Sequence, residues 1–134
     1  EARAGRRLAA SSYHWKTLMD HGVTVSNGSD CPVEQPDVMA GIQCAVTRTT
    51  LRDHLGPYLP DQCFSVPEAL DSFTIAGAKA SFEESCKGRI APGYLADFVI
   101  LGENPFAAAP QELHAIPIRA TYLAGQPVYQ ADAL

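Results

Sequence analysis

The sequence of 134 residues predicts an α/β fold, and two patterns carry this prediction. A helical stretch over 13–21 runs through Gly22 into the β-prone segment 23–28, and together they form one α/β unit. Apolar residues then recur at helical spacing over 37–47 and again from 65 to 82. The end of the chain is β-rich, with strand candidates at 97–101, 116–123 and 128–129. Residues 1–86 are therefore expected to form an α/β unit, and residues 87–134 a mostly β one.

Gly22 marks the expected end of the first helix. The apolar side chains from Tyr13 to Met19 share one broad face, and glycine takes the left-handed conformation that closes many helices. The segment 23–28 then enters a loop of small residues that contains Asp30. In α/β proteins, functional groups usually lie in the loop that follows a strand.

The next helix has a recognisable start. Pro36 and Asp37 are expected to begin the helix over 37–47. Residues 47–62 are polar and broken by glycine and proline, which predicts an exposed excursion with a short helical turn.

Ser65 and Glu68 stand at capping-box spacing, with Pro67 in the first turn of the helix that follows. Gly77 is expected to bend the chain before a second short helix that ends near Phe82. These features complete the α/β part of the prediction.

The β-rich part begins after Lys87. Pro92-Gly93 is a typical type II turn pair, and residues 97–101 form an apolar run that predicts a strand buried on both faces. Residues 124–127 predict a tight turn between the last two strands.

Composition excludes several classes of function. Ten Lys and Arg against fifteen Asp and Glu give a net charge of −5, so a nucleic-acid partner is not expected. The longest apolar run, Phe98–Leu101, is far below the roughly 20 residues of a membrane span. Four widely spaced cysteines and the absence of an export signal predict free thiols in a cytoplasmic protein. The sequence does not begin with Met, which suggests a fragment.

Asp30 is the sharpest candidate for a functional residue. A carboxylate in a loop of small residues can bind a cation or accept a proton from water, although an Asp that caps a turn or the next helix is the more common case. Cys31 beside it is a remote candidate for a nucleophile. The histidines lack metal-site spacing and are expected to be surface or capping residues; they are His14, His21, His54 and His114.

Several ordered motifs resemble one known family. They are Tyr13-His14-Trp15-Lys16-Thr17-Leu18, Gly22–Val33, Ala45-Val46-Thr47-Arg48, Ser65–Leu70, Lys87–Leu101 and Thr121–Tyr129. In this order they are similar to the C-terminal part of the metal-dependent amidohydrolase superfamily, long-chain branch of the N-substituted formamide deformylase type. The resemblance runs from about residue 5 to residue 129.

The resemblance implies the C-terminal part of a (β/α)8 TIM barrel plus part of a small β-sandwich, present as a fragment. It implies that segment 23–28 is the last barrel strand and that Asp30 is both a metal ligand and a catalytic residue. In such enzymes this aspartate takes a proton from the water that a divalent metal, expected to be zinc, activates, and passes it to the leaving group. The substrate class implied is a small molecule with an amide or formamide-like C–N bond.

The family's histidine ligands have no counterpart here, so the resemblance places them in a missing N-terminal part of the barrel. A single carboxylate cannot hold a catalytic zinc, which takes about three protein ligands. The chain alone is therefore expected to bind no metal, to be inactive and to self-associate through unpaired strands. Trp15 and Arg48 are possible contributors to a substrate pocket. The competing hypothesis is a non-catalytic α+β binding or assembly module.

Overall fold

The computed structural model of the protein describes residues 3, 5–53 and 55–132. Within these residues the chain forms short helices followed by an antiparallel sheet. The α-helices are α1 (Gly5–Ala10), α2 (Trp15–Asp20), α3 (Val38–Thr47), α4 (Val66–Ser72) and α5 (Ile75–Ala80). Two 3-10 segments lie at Pro60–Gln62 and Pro110–Ala115, and the strands are β1 (Phe98–Leu101), β2 (Ile118–Leu123) and β3 (Gln126–Gln130).

The predicted helix boundaries in the first half are confirmed where a capping residue was identified. Gly22 follows α2 with a φ of +82°, in the left-handed region. The Asp37 side chain accepts a hydrogen bond from the Ala40 N–H at 2.9 Å and so caps α3. Ser65 and Glu68 form the complete capping box at the start of α4.

The prediction of a strand over 23–28 is wrong for this structure. The segment is extended but is not paired as a strand, because none of the described residues runs beside it as a neighbouring strand. A β-strand is defined by hydrogen bonds to a neighbour, and sequence propensity supplies only the extended conformation.

The chain bends between α4 and α5 earlier than predicted. The break lies at Phe73 and Thr74, and Gly77 is inside α5. The Thr74 hydroxyl donates to the Leu70 carbonyl at 2.8 Å, and the Ser72 hydroxyl donates to the Ala69 carbonyl at 2.6 Å. These side chains satisfy carbonyl groups at the end of α4, which favours ending the helix there.

The three strands form an antiparallel sheet in the order β1-β2-β3. Phe98 of β1 lies opposite Tyr122 of β2, and their rings stack with centroids 4.6 Å apart. The hairpin between β2 and β3 has a two-residue loop, Ala124-Gly125, in which both residues have positive φ. The turn is therefore shorter than the predicted 124–127.

Strand β1 is not buried on both faces as predicted. Val99 is 51% exposed and Ile100 is 46% exposed. Strand β1 stands at one edge of the sheet, and nothing in the described part of the chain covers these two side chains.

The core joins the two halves of the chain. Its buried cluster consists of Met39, Ile42, Phe64, Ala69, Leu113 and Ile116. Leu113 is fully buried and comes from the 3-10 segment 110–115, which packs against α3 and was not predicted. Among the described residues, no helix has the length and apolar character needed to cross a membrane.

Candidate functional site

The extended segment 23–28 and the loop after it present two faces. Val25, Asn27 and Ser29 are half-buried, and Val25 packs against the core cluster. The alternate positions from Thr24 to Asp30 are exposed. Because the alternation has a period of two, Asp30 belongs to the exposed positions and not to the half-buried positions of Val25, Asn27 and Ser29.

Asp30 stands at the end of this segment with a φ of +49°, in the left-handed region that Asp tolerates better than most residues. Its backbone carbonyl accepts a hydrogen bond from the Val33 N–H at 2.9 Å, which closes a turn. The Asp30 carboxylate accepts no hydrogen bond from the described residues. The turn is thus closed by a backbone hydrogen bond, and the Asp30 residue is exposed.

The described residues do not form a metal site by themselves. They contain no group of three or more His, Cys, Asp or Glu side chains that could hold an ion. Asp30 offers one exposed carboxylate, and the thiol of its neighbour Cys31 is also exposed. A catalytic zinc takes about three protein ligands, and the described residues around Asp30 supply no such set.

Three histidines have a hydrogen-bond partner among the described residues, two of them within four positions of the chain. His14 Nε2 lies 2.8 Å from the Ala10 carbonyl, and His21 Nδ1 lies 2.8 Å from the Thr17 carbonyl. His114 Nδ1 lies 2.8 Å from Oε1 of Gln43, whose side chain is buried. His54 lies outside the described residues.

A cavity of about 260 Å³ opens beside the segment that carries Asp30. It is called here the Trp15–Arg48 cavity, and its walls are Trp15, Asn27, Gly28, Gly41, Cys44, Ala45, Arg48, Gln62, Phe64 and Phe73. Gly28 connects the two features, because Asp30 Oδ1 lies 3.7 Å from the position that a Cβ of Gly28 would take. The two residues suggested from the sequence, Trp15 and Arg48, thus line one cavity near Asp30.

Sequence reasoning missed the rest of the cavity wall. Asn27 and Gln62 come from an extended segment and a 3-10 turn, and no local pattern distinguishes them from other polar loop residues. Burial raises the pKa of the Cys44 thiol, which lines the cavity, and that of the Cys63 thiol. All four cysteines are free.

The family model described as "Amidohydrolase family" matches residues 1–129. The chain belongs to the amidohydrolase family. This amidohydrolase chain is 39% identical to amidohydrolase YtcJ of Bacillus subtilis (strain 168) over 129 residues. The aligned region covers 96% of this chain and 24% of the relative. The motifs that suggested the family from sequence, and the branch they suggested, are confirmed.

Two other curated proteins are similar. The N-substituted formamide deformylase of Arthrobacter pascens is 33% identical over 110 residues, covering 82% of this chain and 20% of the relative. The protein LONG AFTER FAR-RED 3 of Arabidopsis thaliana is 33% identical over 124 residues, covering 92% of this chain and 21% of the relative. The chain therefore spans about a quarter or less of these relatives. No solved structure is significantly similar to it.

Proposed function

We propose that this chain is the C-terminal portion of a metal-dependent amidohydrolase that hydrolyses an amide or formamide-like C–N bond of a small molecule. The observation that carries the proposal is the exposed Asp30 carboxylate, which no described residue engages. Family membership supports the hydrolase class, and one relative is named for formamide deformylation. The relatives are several times longer, which supports a missing N-terminal part.

In the proposed parent, segment 23–28 is the last strand of a (β/α)8 barrel, and the β-rich residues 87–134 belong to a composite β-sandwich. The alternation of exposed and half-buried residues along 23–30 supports this, since barrel strands direct alternate side chains to the axis and to the helices. Asp30 then stands at the carboxyl end of its strand, where barrel enzymes place their catalytic groups.

Asp30 has two tasks in the proposed reaction. Its carboxylate would be one ligand of a divalent metal, which we expect to be zinc. When bound, the metal would supply the Lewis acidity that makes water nucleophilic at neutral pH. Asp30 accepts one proton from the attacking water and delivers it to the leaving nitrogen as the C–N bond breaks. The products are a carboxylic or formic acid and an amine, and Asp30 returns to its carboxylate form.

The test compares two variants of the parent polypeptide. Asp30→Asn should lower the hydrolysis of an N-substituted formamide by at least about 100-fold, measured as amine release, because the proton acceptor is lost. Asp132→Asn, an exposed carboxylate outside the site, should retain activity. Full activity of Asp30→Asn would refute the role and favour a non-catalytic module.

The isolated 134 residues provide a second test. We propose that they retain less than one equivalent of zinc after dialysis and hydrolyse no amide, because the described residues contain no group of three side chains that could hold the ion. Elemental analysis that finds one tightly held zinc, together with turnover, would overturn the proposal.

The free thiols support a reducing, cytoplasmic compartment for the parent.

A further inference from the structure

The Trp15–Arg48 cavity has an unusual charge for this chain. Arg48 is the only charged side chain among the residues that line it. No carboxylate in the described part of the protein forms an ion pair with Arg48; the ion pairs there involve Lys16 and Lys87. The net charge of the whole chain is −5, so the attraction for an anion comes from the local positive charge of Arg48 and not from the chain as a whole.

Arg48 is held in place by Tyr58. Arg48 Nε donates to the Tyr58 carbonyl at 2.9 Å, and the guanidinium carbon lies 5.7 Å from the centre of the Tyr58 ring. The terminal nitrogens of Arg48 and the indole N–H of Trp15 make no hydrogen bond to any described residue. An oriented guanidinium with unused donors matches a carboxylate, which accepts two parallel hydrogen bonds.

The other residues that line the cavity are uncharged and are held by hydrogen bonds and packing contacts. Both amide atoms of Gln62 bond to Thr17 of α2, at 3.0 Å from its N–H and 2.9 Å from its hydroxyl. The Phe73 ring lies against Gly41, with an atom 2.7 Å from the position that a Cβ would take. Phe64 is buried, and burial raises the pKa of the Cys44 thiol, which therefore adds no negative charge. A short apolar stem behind a carboxylate would fit these surfaces.

We propose that the Trp15–Arg48 cavity binds a carboxylate group of the substrate, so that the substrate class is a small amide or formamide that also carries a carboxylate. This deepens, and rests on, the proposed function. Gly28 lines the cavity and adjoins Asp30, so the C–N bond reaches Asp30 while the carboxylate contacts Arg48. The volume of about 260 Å³ lies below the usual ~300–1,000 Å³ of ligand pockets, which suits one substituent of a substrate.

Trp15 makes the binding measurable, because it is the only tryptophan of the chain. Titration of the 134-residue chain with benzoate should give a saturable change in tryptophan fluorescence. Benzamide, a neutral molecule of nearly the same shape, should bind at least about 10-fold more weakly, because it lacks the charge that pairs with the guanidinium. Equal binding of the two probes, or no binding of benzoate, would overturn the inference.

Variants assign the effect to Arg48. Arg48→Gln should weaken benzoate by at least about 10-fold, and Arg48→Lys by less, because lysine keeps the charge but loses the planar fork. Arg89→Gln, which removes an exposed arginine outside the cavity, should bind benzoate like the unmodified chain. If Arg48→Gln unfolds, the comparison of benzoate with benzamide on the unmodified chain still decides.

The parent polypeptide separates this inference from the proposed function. There, Arg48→Gln should lower kcat/KM for a carboxylate-bearing formamide by at least about 10-fold while changing that for a neutral formamide by less than about 2-fold. Equal losses for both substrates would overturn the substrate assignment. If Asp30→Asn remains active while benzoate binds, the proposed function fails and the anion site stands. If Asp30→Asn is inactive and benzoate does not bind, only the anion site fails.

Discussion

Asn27 and Ser72 are joined by two hydrogen bonds across 45 positions of the chain. The Asn27 backbone N–H donates to the Ser72 carbonyl at 3.0 Å, and Asn27 Nδ2 donates to the Ser72 hydroxyl at 2.9 Å. The first bond depends on the backbone alone, and the second on the side chains alone. Together they fix the end of the extended segment, three residues before Asp30, to helix α4.

Asn27→Ala should lower the free energy of unfolding by about 1 kcal/mol, because it removes the side-chain bond and keeps the backbone bond. The measurement is urea unfolding of Asn27→Ala, Ser72→Ala and the double variant. The two losses should not add, since each removes the same bond. Strict additivity would show that the 2.9 Å contact contributes nothing.

Ser65→Ala should destabilise the chain by about 0.5–2 kcal/mol, the usual cost of removing a helix N-cap. The Ser65 hydroxyl is 3.4 Å from the Glu68 N–H, and the Ser65 N–H donates to the Glu68 carboxylate at 2.8 Å. Thermal unfolding checks this, with the exposed Ser85→Ala as the control. A loss equal to that of the control would contradict a capping role.

Stability should fall at acid pH partly through Glu68. Burial opposes ionisation of this carboxyl, but hydrogen bonds from Ser65 and the Lys16 ammonium, 3.1 Å away, hold the pKa of Glu68 below its usual value. A lowered pKa in the folded state means that its stabilisation is complete above the unfolded pKa and is lost as pH falls through the folded one. The effect should stay below about 1 kcal/mol, as for other partly exposed ion pairs.

Unfolding measured between about pH 3 and 7 tests this link. Glu68→Gln should flatten the acid decline in stability, because the glutamine does not titrate. Glu84→Gln, an exposed residue without an ion pair among the described residues, is the matched control. An unchanged pH profile for Glu68→Gln would remove Glu68 from the explanation.

Gly88→Ala should be much more destabilising than Gly93→Ala. Both glycines have positive φ, +83° and +87°, so alanine meets a similar backbone penalty at each. A Cβ at Gly88 would also lie 2.7 Å from Cα of Ile75, whereas a Cβ at Gly93 meets nothing within 4 Å. We expect an extra loss of about 1–3 kcal/mol at Gly88, as for other overpacked sites. Equal melting temperatures of the two variants would contradict this packing.

The isolated 134-residue chain should self-associate through the edge of β1. Val99 and Ile100 are exposed there, and an uncovered apolar edge strand readily pairs with another copy. Light scattering should detect oligomers at about 100 μM, and Val99→Lys should shift them toward monomer, since charge on an edge strand opposes pairing. Ala107→Lys, in an exposed loop, should have no such effect. A monodisperse unmodified chain would contradict the prediction.

The features that the sequence predicted correctly depend on neighbours in sequence. Asp37 caps α3, and the Ser65–Glu68 box caps α4, because both motifs act within three residues. Gly22 is likewise set by local backbone preferences, and so is the position of the last hairpin turn at Gly125, although its loop is shorter than predicted.

The features that it missed depend on distant partners. Segment 23–28 has strand propensity but finds no neighbour in the described residues, and Val99 lacks the cover that its apolar character suggested. Leu113 is buried because α3 packs over it, and no periodic pattern in the polar residues around it indicated this. The cavity near Asp30 combines residues of α2, α3, segment 23–28, the stretch 62–64 and the end of α4, so its shape follows only from the packed fold.

Arg48 ends α3 with a φ of +54°, a conformation in which glycine is the usual residue and other residues bear a cost of about 1–2 kcal/mol. A glycine at this position would relax the helix terminus and at the same time delete the guanidinium. Variants selected only for a higher melting temperature would thus tend to replace Arg48 with glycine and lose the proposed anion site. Keeping that site requires the chain to bear the conformational cost at Arg48.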